Sequence, residues 1–111
     1  MTPVTDKLIE EMAEMIVKAV NPRQVILFGS HARGAARPGS DVDFLVIEDE
    51  PFGAHRSRRQ EMAKLWRLLA CFAVPKDFLV YSREEVDQWR HSRNHVIAHA
   101  LKEGKLLYER H

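Results

Sequence analysis

The segment from Asp41 to Ile47 places the strongest limit on the fold of this chain. Asp41 and Asp43 lie at its start, separated by one apolar residue, and the four residues from Phe44 to Ile47 are all apolar. Apolar residues on both faces are typical of a strand that is covered on both sides. We therefore expect this strand to lie in the middle of a sheet. Carboxylates that open such a strand need a counter-ion, because burying them unpaired costs free energy.

The neighbouring segments predict an α+β protein, with a small mixed β-sheet flanked by helices. Apolar residues at helical spacing predict helices over Thr5 to Val20 and His55 to Ala73, and Gln24 to Phe28 is rich in strand formers. We expect residues 29–40 to form a short helix followed by a mobile loop. A third strand is predicted over Asp77 to Tyr81, and a helix that begins in a capping box follows from Ser82. A last helix over Asn94 to Glu103 and a short edge strand over Lys105 to Tyr108 complete the chain.

Length, charge and cysteine content exclude several classes of protein. The chain has 111 residues, the length of one ordinary domain. Its net charge of +1 leaves no broad cationic surface, so nucleic acid is not expected as the main partner. The single cysteine, Cys71, excludes a disulfide scaffold, and we expect it to be buried on its helix. With no apolar run of about 18 residues, we expect no membrane association and a cytoplasmic location.

The turn after the first predicted strand has the residues of a phosphate-binding site. Gly29 lets a ligand approach the backbone closely, and the hydroxyl of Ser30 and the following amides are suited to bind an anion. Taken alone, Gly-Ser is also an ordinary turn.

Ten residues separate Ser30 from a pair of carboxylates. Asp41 and Asp43 lie two apart on a strand, so both side chains project from one face. Adjacent carboxylates repel each other unless a cation lies between them, and hard oxygen ligands together with substrate phosphates suit Mg²⁺. A phosphate site that faces a carboxylate pair favours metal-assisted phosphoryl or nucleotidyl transfer.

Gly29-Ser30, ten residues, and Asp41-Val42-Asp43 together resemble the signature of the DNA polymerase β-like nucleotidyltransferase superfamily. The longer string from Gly29 to Val46 and the segment from Ala100 to Glu109 are similar to the minimal nucleotidyltransferases (MNT) of prokaryotes. The resemblance covers nearly the whole chain. It implies a fold like the polymerase β palm, with residues 1–111 as a single minimal nucleotidyltransferase domain.

The resemblance also implies a third carboxylate on a neighbouring strand, which would complete a two-metal site. Asp77 is the candidate, because it opens the third strand as Asp41 opens the second. Glu48 and Asp49 compete for this role but lie beyond the far end of the second strand. In two-metal chemistry Asp41 and Asp43 would bind both Mg²⁺ ions, and Asp77 would bind the ion on the acceptor side.

The same comparison predicts which residues bind the nucleotide. Gly29, Ser30, Arg33 and Ser40 are the predicted nucleotide- and phosphate-binding residues, with Ser30 at the β- and γ-phosphates. For Arg33, an exposed arginine in a polar turn is an equally good interpretation.

The family implies an enzyme that transfers AMP from ATP to a hydroxyl. MNT proteins are typically encoded beside a HEPN-domain toxin and adenylylate a tyrosine of it, as the antitoxin of a type VII-like toxin–antitoxin system. Two alternatives stay open. One is transfer to a small molecule such as an aminoglycoside, and the other is a non-catalytic binding module that neutralises its partner by complex formation.

Two further features bear on partners. Dimerisation could build a substrate pocket, so a homo-oligomer is possible. Arg56, Arg58 and Arg59 form a basic cluster at a helix start, either as a solvated face or as a docking surface for an acidic partner.

Overall fold

A computed structural model describes residues 3–110 and confirms the α+β fold. No helix within this range is long and apolar enough to cross a membrane. The elements, in chain order, are α1 (Asp6–Val20), β1 (Gln24–Phe28), β2 (Val42–Glu48), α2 (Arg58–Leu68), β3 (Lys76–Ser82), α3 (Arg83–Trp89), α4 (Val96–Glu103) and β4 (Lys105–Glu109).

The four strands form one mixed sheet in the order β3-β2-β1-β4. Strand β2 pairs antiparallel with β1 and parallel with β3, and β1 pairs antiparallel with β4. The prediction that β2 lies inside the sheet is confirmed, because every residue from Phe44 to Glu48 is buried. The predicted edge strand is also confirmed, as β4.

Helices cover the two faces of the sheet unequally. Helices α1 and α2 pack on one face against alternate strand residues, such as Phe44 and Phe78, which are fully buried. The shorter α3 and α4 pack on the other face, against Leu45 and Ile47. Since successive side chains on a strand point to opposite faces, Asp43 shares the face of Leu45, the more thinly covered one.

Several helix ends follow the predicted local signals. The side chain of Thr5 accepts a hydrogen bond from the amide of Leu8 at the start of α1, and Asn21 ends that helix in a left-handed conformation. Ser82 and Glu85 form the predicted capping box of α3. Gly104 ends α4 with φ −77°, so it is not a left-handed cap. Glycine is needed here because it has no Cβ, and a Cβ would lie 2.5 Å from Cγ2 of Ile26 on β1.

Two predicted helices are shorter than expected. Residues 29–40 contain one helical turn, in which Arg33 N–H donates to Gly29 O (3.2 Å), and then a loop, because Gly34 adopts φ +68° and ends the turn. The helix predicted from His55 begins at Arg58, where the side chain of Ser57 caps it, and a 3₁₀ turn over Leu69–Cys71 follows its end. Cys71 is exposed at this turn, so the prediction that it is buried was wrong.

Candidate active site

The phosphate-binding turn begins where β1 ends. Gly29 has φ +77°, which favours glycine, and a Cβ at this position would collide with Oδ2 of Asp43. The amides of Ser30 and His31 donate to no backbone carbonyl within residues 3–110. Two adjacent free amides next to a hydroxyl are suited to bind the oxygens of a phosphate.

The predicted carboxylates come together at the same end of the sheet. In the parallel register of β2 and β3, Asp43 is the partner of Asp77, and Val42 is the partner of Lys76. Because Asp41 and Asp77 each open a predicted strand, the sequence predicts that these two lie side by side. The neighbour is Asp43, because β2 begins at Val42 and pairs there with Lys76. Asp41 and Asp77 are exposed, and Asp43 is partly buried.

The charges around Asp43 oppose its ionisation. Burial raises the pKa of Asp43 above its ordinary value, and the negative charges of Asp41 and Asp77 raise it further. The positive charges of His31 and Arg33 act in the opposite direction but do not prevail. Within residues 3–110 none of the three aspartates forms an ion pair with a side chain of the protein. A bound cation would relieve this repulsion.

The donor set suits Mg²⁺ in its chemistry but is not arranged as a finished ligand shell. Carboxylate oxygens are the ligands that this ion prefers. No three acidic, histidine or cysteine side chains in the described part of the chain converge closely enough to hold a metal ion as they stand. Oδ1 of Asp77 accepts a hydrogen bond from Phe78 N–H (2.9 Å). Metal binding would therefore require the exposed carboxylates of Asp41 and Asp77 to turn toward Asp43.

Of the other predicted nucleotide-binding residues, Arg33 lies in the turn and Ser40 lies on the loop that joins it to β2. Arg33 is exposed, 3.9 Å from a carboxylate oxygen of Glu103. Ser40 uses its polar groups inside the loop, where its amide and hydroxyl bond to Arg37 and its carbonyl accepts from His31 (3.3 Å). Contact of Arg33 or Ser40 with a phosphate stays a prediction. Sequence reasoning did not single out His31, and its only signal was its position directly after Ser30.

The competing carboxylates lie at the opposite end of β2. Glu48 is buried there and forms an ion pair with Arg56, and Asp49 pairs with Arg23 and Arg110. Neither reaches the end of the sheet that holds Asp43, so Asp77 is the better placed of the candidates.

The basic cluster at the start of α2 does not form a free docking surface. Arg56 forms ion pairs with Glu48 and Glu61 and stacks on Phe52. Arg58 pairs with Glu85 on α3 and also stacks on the ring of Phe52. These two side chains join elements within the fold, so the interpretation as a docking surface is not supported for them. Arg59 is exposed.

With this geometry in view, comparison with known proteins defines the class. A family model described as a nucleotidyltransferase domain matches residues 6–109. The chain belongs to this family, which confirms the predicted enzyme class. Membership implies a nucleoside triphosphate as the substrate.

Individual relatives agree with this assignment. "Putative protein adenylyltransferase" of Methanocaldococcus jannaschii is 30% identical over 108 residues, which are 93% of this chain and 97% of that protein. The fold is similar to the crystal structure of a "putative nucleotidyltransferase" from Sulfolobus solfataricus (TM-score 0.65, 23% identity, 94% of this chain and 79% of the other). It is also similar to a chain in the complex of tri-AMPylated Shewanella oneidensis HEPN toxin with MNT antitoxin (TM-score 0.54, 18% identity, 96% and 74%). Sequence and fold thus agree on a nucleotidyltransferase, and the likeness to the MNT antitoxin chain is one of fold.

Proposed function

We propose that this protein transfers AMP from ATP, with Mg²⁺, to a hydroxyl group of a partner protein. One observation carries the proposal. The free amides of Ser30 and His31 lie at the same end of the sheet as three carboxylates that have no ion-pair partner within residues 3–110. An anion-binding turn beside uncompensated carboxylates is the arrangement that a metal–triphosphate complex satisfies.

Each group of the site has a distinct task in the proposed reaction. Ser30 and the adjacent amides hold the β- and γ-phosphates, and Gly29 leaves the space that the Asp43 carboxylate occupies beside them. Asp41, Asp43 and Asp77 would hold Mg²⁺, which would neutralise charge on the phosphates and make the acceptor hydroxyl easier to deprotonate. Arg33 is close enough to Asp43 for its charge to be felt there, and is a candidate to contact a phosphate.

The transfer step follows from these positions. The acceptor oxygen attacks the α-phosphorus, the bond from that phosphorus to the oxygen bridging to the β-phosphate breaks, and pyrophosphate leaves. The hydroxyl proton passes to solvent or to Asp77, on the acceptor side. Asp77 and Asp41 are exposed, whereas Asp43 is partly buried, so Asp77 is accessible to an incoming acceptor.

The acceptor that the relatives support is a tyrosine of a HEPN toxin. The M. jannaschii relative is named for protein adenylyl transfer, and the S. oneidensis complex contains an AMPylated HEPN toxin beside its MNT antitoxin. A protein acceptor brings its own recognition surface, which a small molecule does not. In this role the protein is the antitoxin of a type VII-like system in the cytoplasm, where ATP is available.

Co-expression with a HEPN-type partner followed by intact-mass spectrometry tests the proposal. Wild type should add increments of roughly 329 Da to the partner, as AMP transfer of the two-metal type requires. The double variant Asp41→Asn/Asp43→Asn should add none. Asp87→Asn, which changes an exposed aspartate on α3, is the matched control and should modify the partner like wild type.

Two other results would redirect the assignment. If the double variant leaves the partner unmodified but still neutralises it, the protein is a binding module. If the partner is never modified while a small hydroxylated molecule such as an aminoglycoside is, the acceptor class is wrong.

A further inference from the structure

The loop between the phosphate-binding turn and β2 is built in two halves. In the first half the amide of Ala35 donates to Ser30 O (2.9 Å). In the second half the amide of Ser40 donates to Arg37 O, and the amide of Arg37 donates to Oγ of Ser40, both at 2.9 Å. Gly34, with φ +68°, lies near the end of the first half, and a Cβ added there would meet no other atom within 4 Å.

A single side-chain hydrogen bond joins the two halves within residues 3–110. Nε2 of His31 lies 3.3 Å from the carbonyl oxygen of Ser40, and the ring is partly buried. A carbonyl can only accept, so Nε2 carries the proton.

The two ends of this bond lie next to the two halves of the site. His31 follows Ser30 in the phosphate-binding turn, and Ser40 precedes Asp41. The backbone position of Asp41 therefore depends on Ser40, and through the bond on His31. His31 is also close enough for its charge to act on Asp43.

We propose that His31 is a positioning residue that holds Asp41 at the phosphate-binding turn in a geometry that binds the metal–nucleotide complex. This inference rests on the proposed function. It assigns to His31 a role through Ser40 and not through direct contact with the nucleotide. The ring lines a cavity of about 320 Å³ with Val4 and Pro75, so its replacement opens existing space and leaves the buried core intact.

Two substitutions with side chains of similar length test whether residue 31 must donate a hydrogen bond. His31→Gln retains an amide N–H that can reach the same carbonyl, and His31→Met does not. Mg²⁺–ATP affinity is measured by calorimetry, and hydrogen exchange is followed at the amides of Arg37 and Ser40. Losing one hydrogen bond should weaken binding by about three- to tenfold in His31→Met and speed exchange at both amides, while His31→Gln stays within about twofold of wild type. The exposed His55, replaced by Ala, is the control and should change neither.

The outcomes distinguish this inference from the proposed function. If wild type does not bind Mg²⁺–ATP, the proposed function fails. If wild type binds and His31→Met binds equally well, the role of His31 fails and the proposed function stands. If both variants weaken binding and exchange in the loop is unchanged, His31 contacts the nucleotide directly, which also overturns positioning. Should His31→Met not fold, His31→Phe supplies a second side chain without a donor.

Discussion

The two ends of the central strand β2 both carry carboxylates, but only one end carries its own counter-charges. At the far end Arg56 forms ion pairs with Glu48, Glu50 and Glu61. At the near end Asp43 lies between two further aspartates and forms no ion pair within the described residues. The carboxylates at one end of β2 are therefore paired with an arginine of the protein, and those at the other end are not.

This difference separates a structural cluster from a binding site. Charges buried for stability are normally paired, since an unpaired buried charge costs free energy. An acidic cluster kept without such pairing is destabilising in the free protein and is expected where a ligand supplies the cation. Arg56 makes the far end independent of any ligand, and the near end depends on one.

The largest expected effect is on stability at the far end. Burial and the adjacent Glu61 carboxylate raise the pKa of Glu48 to about 8, against 4.5 in an unfolded chain. The folded protein then binds more protons than the unfolded chain between these values. The free energy of unfolding should fall by a few kcal/mol as pH rises from about 4.5 to 8. Urea unfolding across this range measures it, and an equal slope in Glu48→Gln would show that another group is responsible.

The next largest effect is on catalysis at the near end. Asp77→Asn should lower the rate of AMP transfer about 10²-fold, because in the proposed reaction its charge acts at the acceptor hydroxyl. Affinity for Mg²⁺–ATP should stay within about threefold of wild type, because we propose that Ser30 and its neighbours hold the triphosphate. Turnover and calorimetry measure the two quantities. Wild-type turnover would mean that the third carboxylate lies elsewhere.

Replacing Arg56 should give the converse result. Glu48 holds its proton at neutral pH, so Arg56→Met leaves the half-buried Glu61 carboxylate without its cation, and unfolding should cost about 2 kcal/mol less. Mg²⁺–ATP affinity of the folded protein should not change, since Arg56 lies at the other end of β2. Unfolding in urea and calorimetry on the same samples check both parts. A variant that is fully stable but binds ATP poorly would contradict the separation of the two ends.

The smallest expected effect concerns the two glycines near Asp43. Gly29 and Gly34 both have positive φ, and only at Gly29 would a Cβ meet Asp43. Each alanine variant should lose about 1 kcal/mol of stability through backbone strain. Gly29→Ala should in addition weaken Mg²⁺–ATP binding, while Gly34→Ala should not. Equal affinities in the two variants would show that crowding at Asp43 is irrelevant to the site.

Local patterns predicted most of the fold. Strand β1 was predicted with the bounds that the structure has, and the apolar run after Asp43 correctly placed β2 inside the sheet. The capping box at Ser82 needed only four residues of sequence. The helix predicted within residues 29–40 is only a single turn, because Gly34 adopts a left-handed conformation there. A segment of small residues and glycines does not reveal from sequence where such a turn ends.

The arrangement of the site was less predictable, because it depends on contacts between distant residues. The grouping of Asp77 with Asp41 and Asp43 was anticipated, but its pairing with Asp43 is set by the register of two strands more than 30 positions apart. Arg58 looked like part of a basic surface because its partner Glu85 is 27 residues away. The hydrogen bond from His31 to Ser40 spans a loop whose composition specifies no conformation.

Calorimetry of ATP binding with and without Mg²⁺, on wild type and on Asp41→Asn/Asp43→Asn, tests the central claim most directly. It requires no partner protein and addresses only the uncompensated end of β2. The account predicts binding to wild type that needs Mg²⁺ and is absent in the double variant, which should fold at least as stably as wild type because like charges have been removed. Equal affinity in the double variant, or binding that is indifferent to Mg²⁺, would contradict the account.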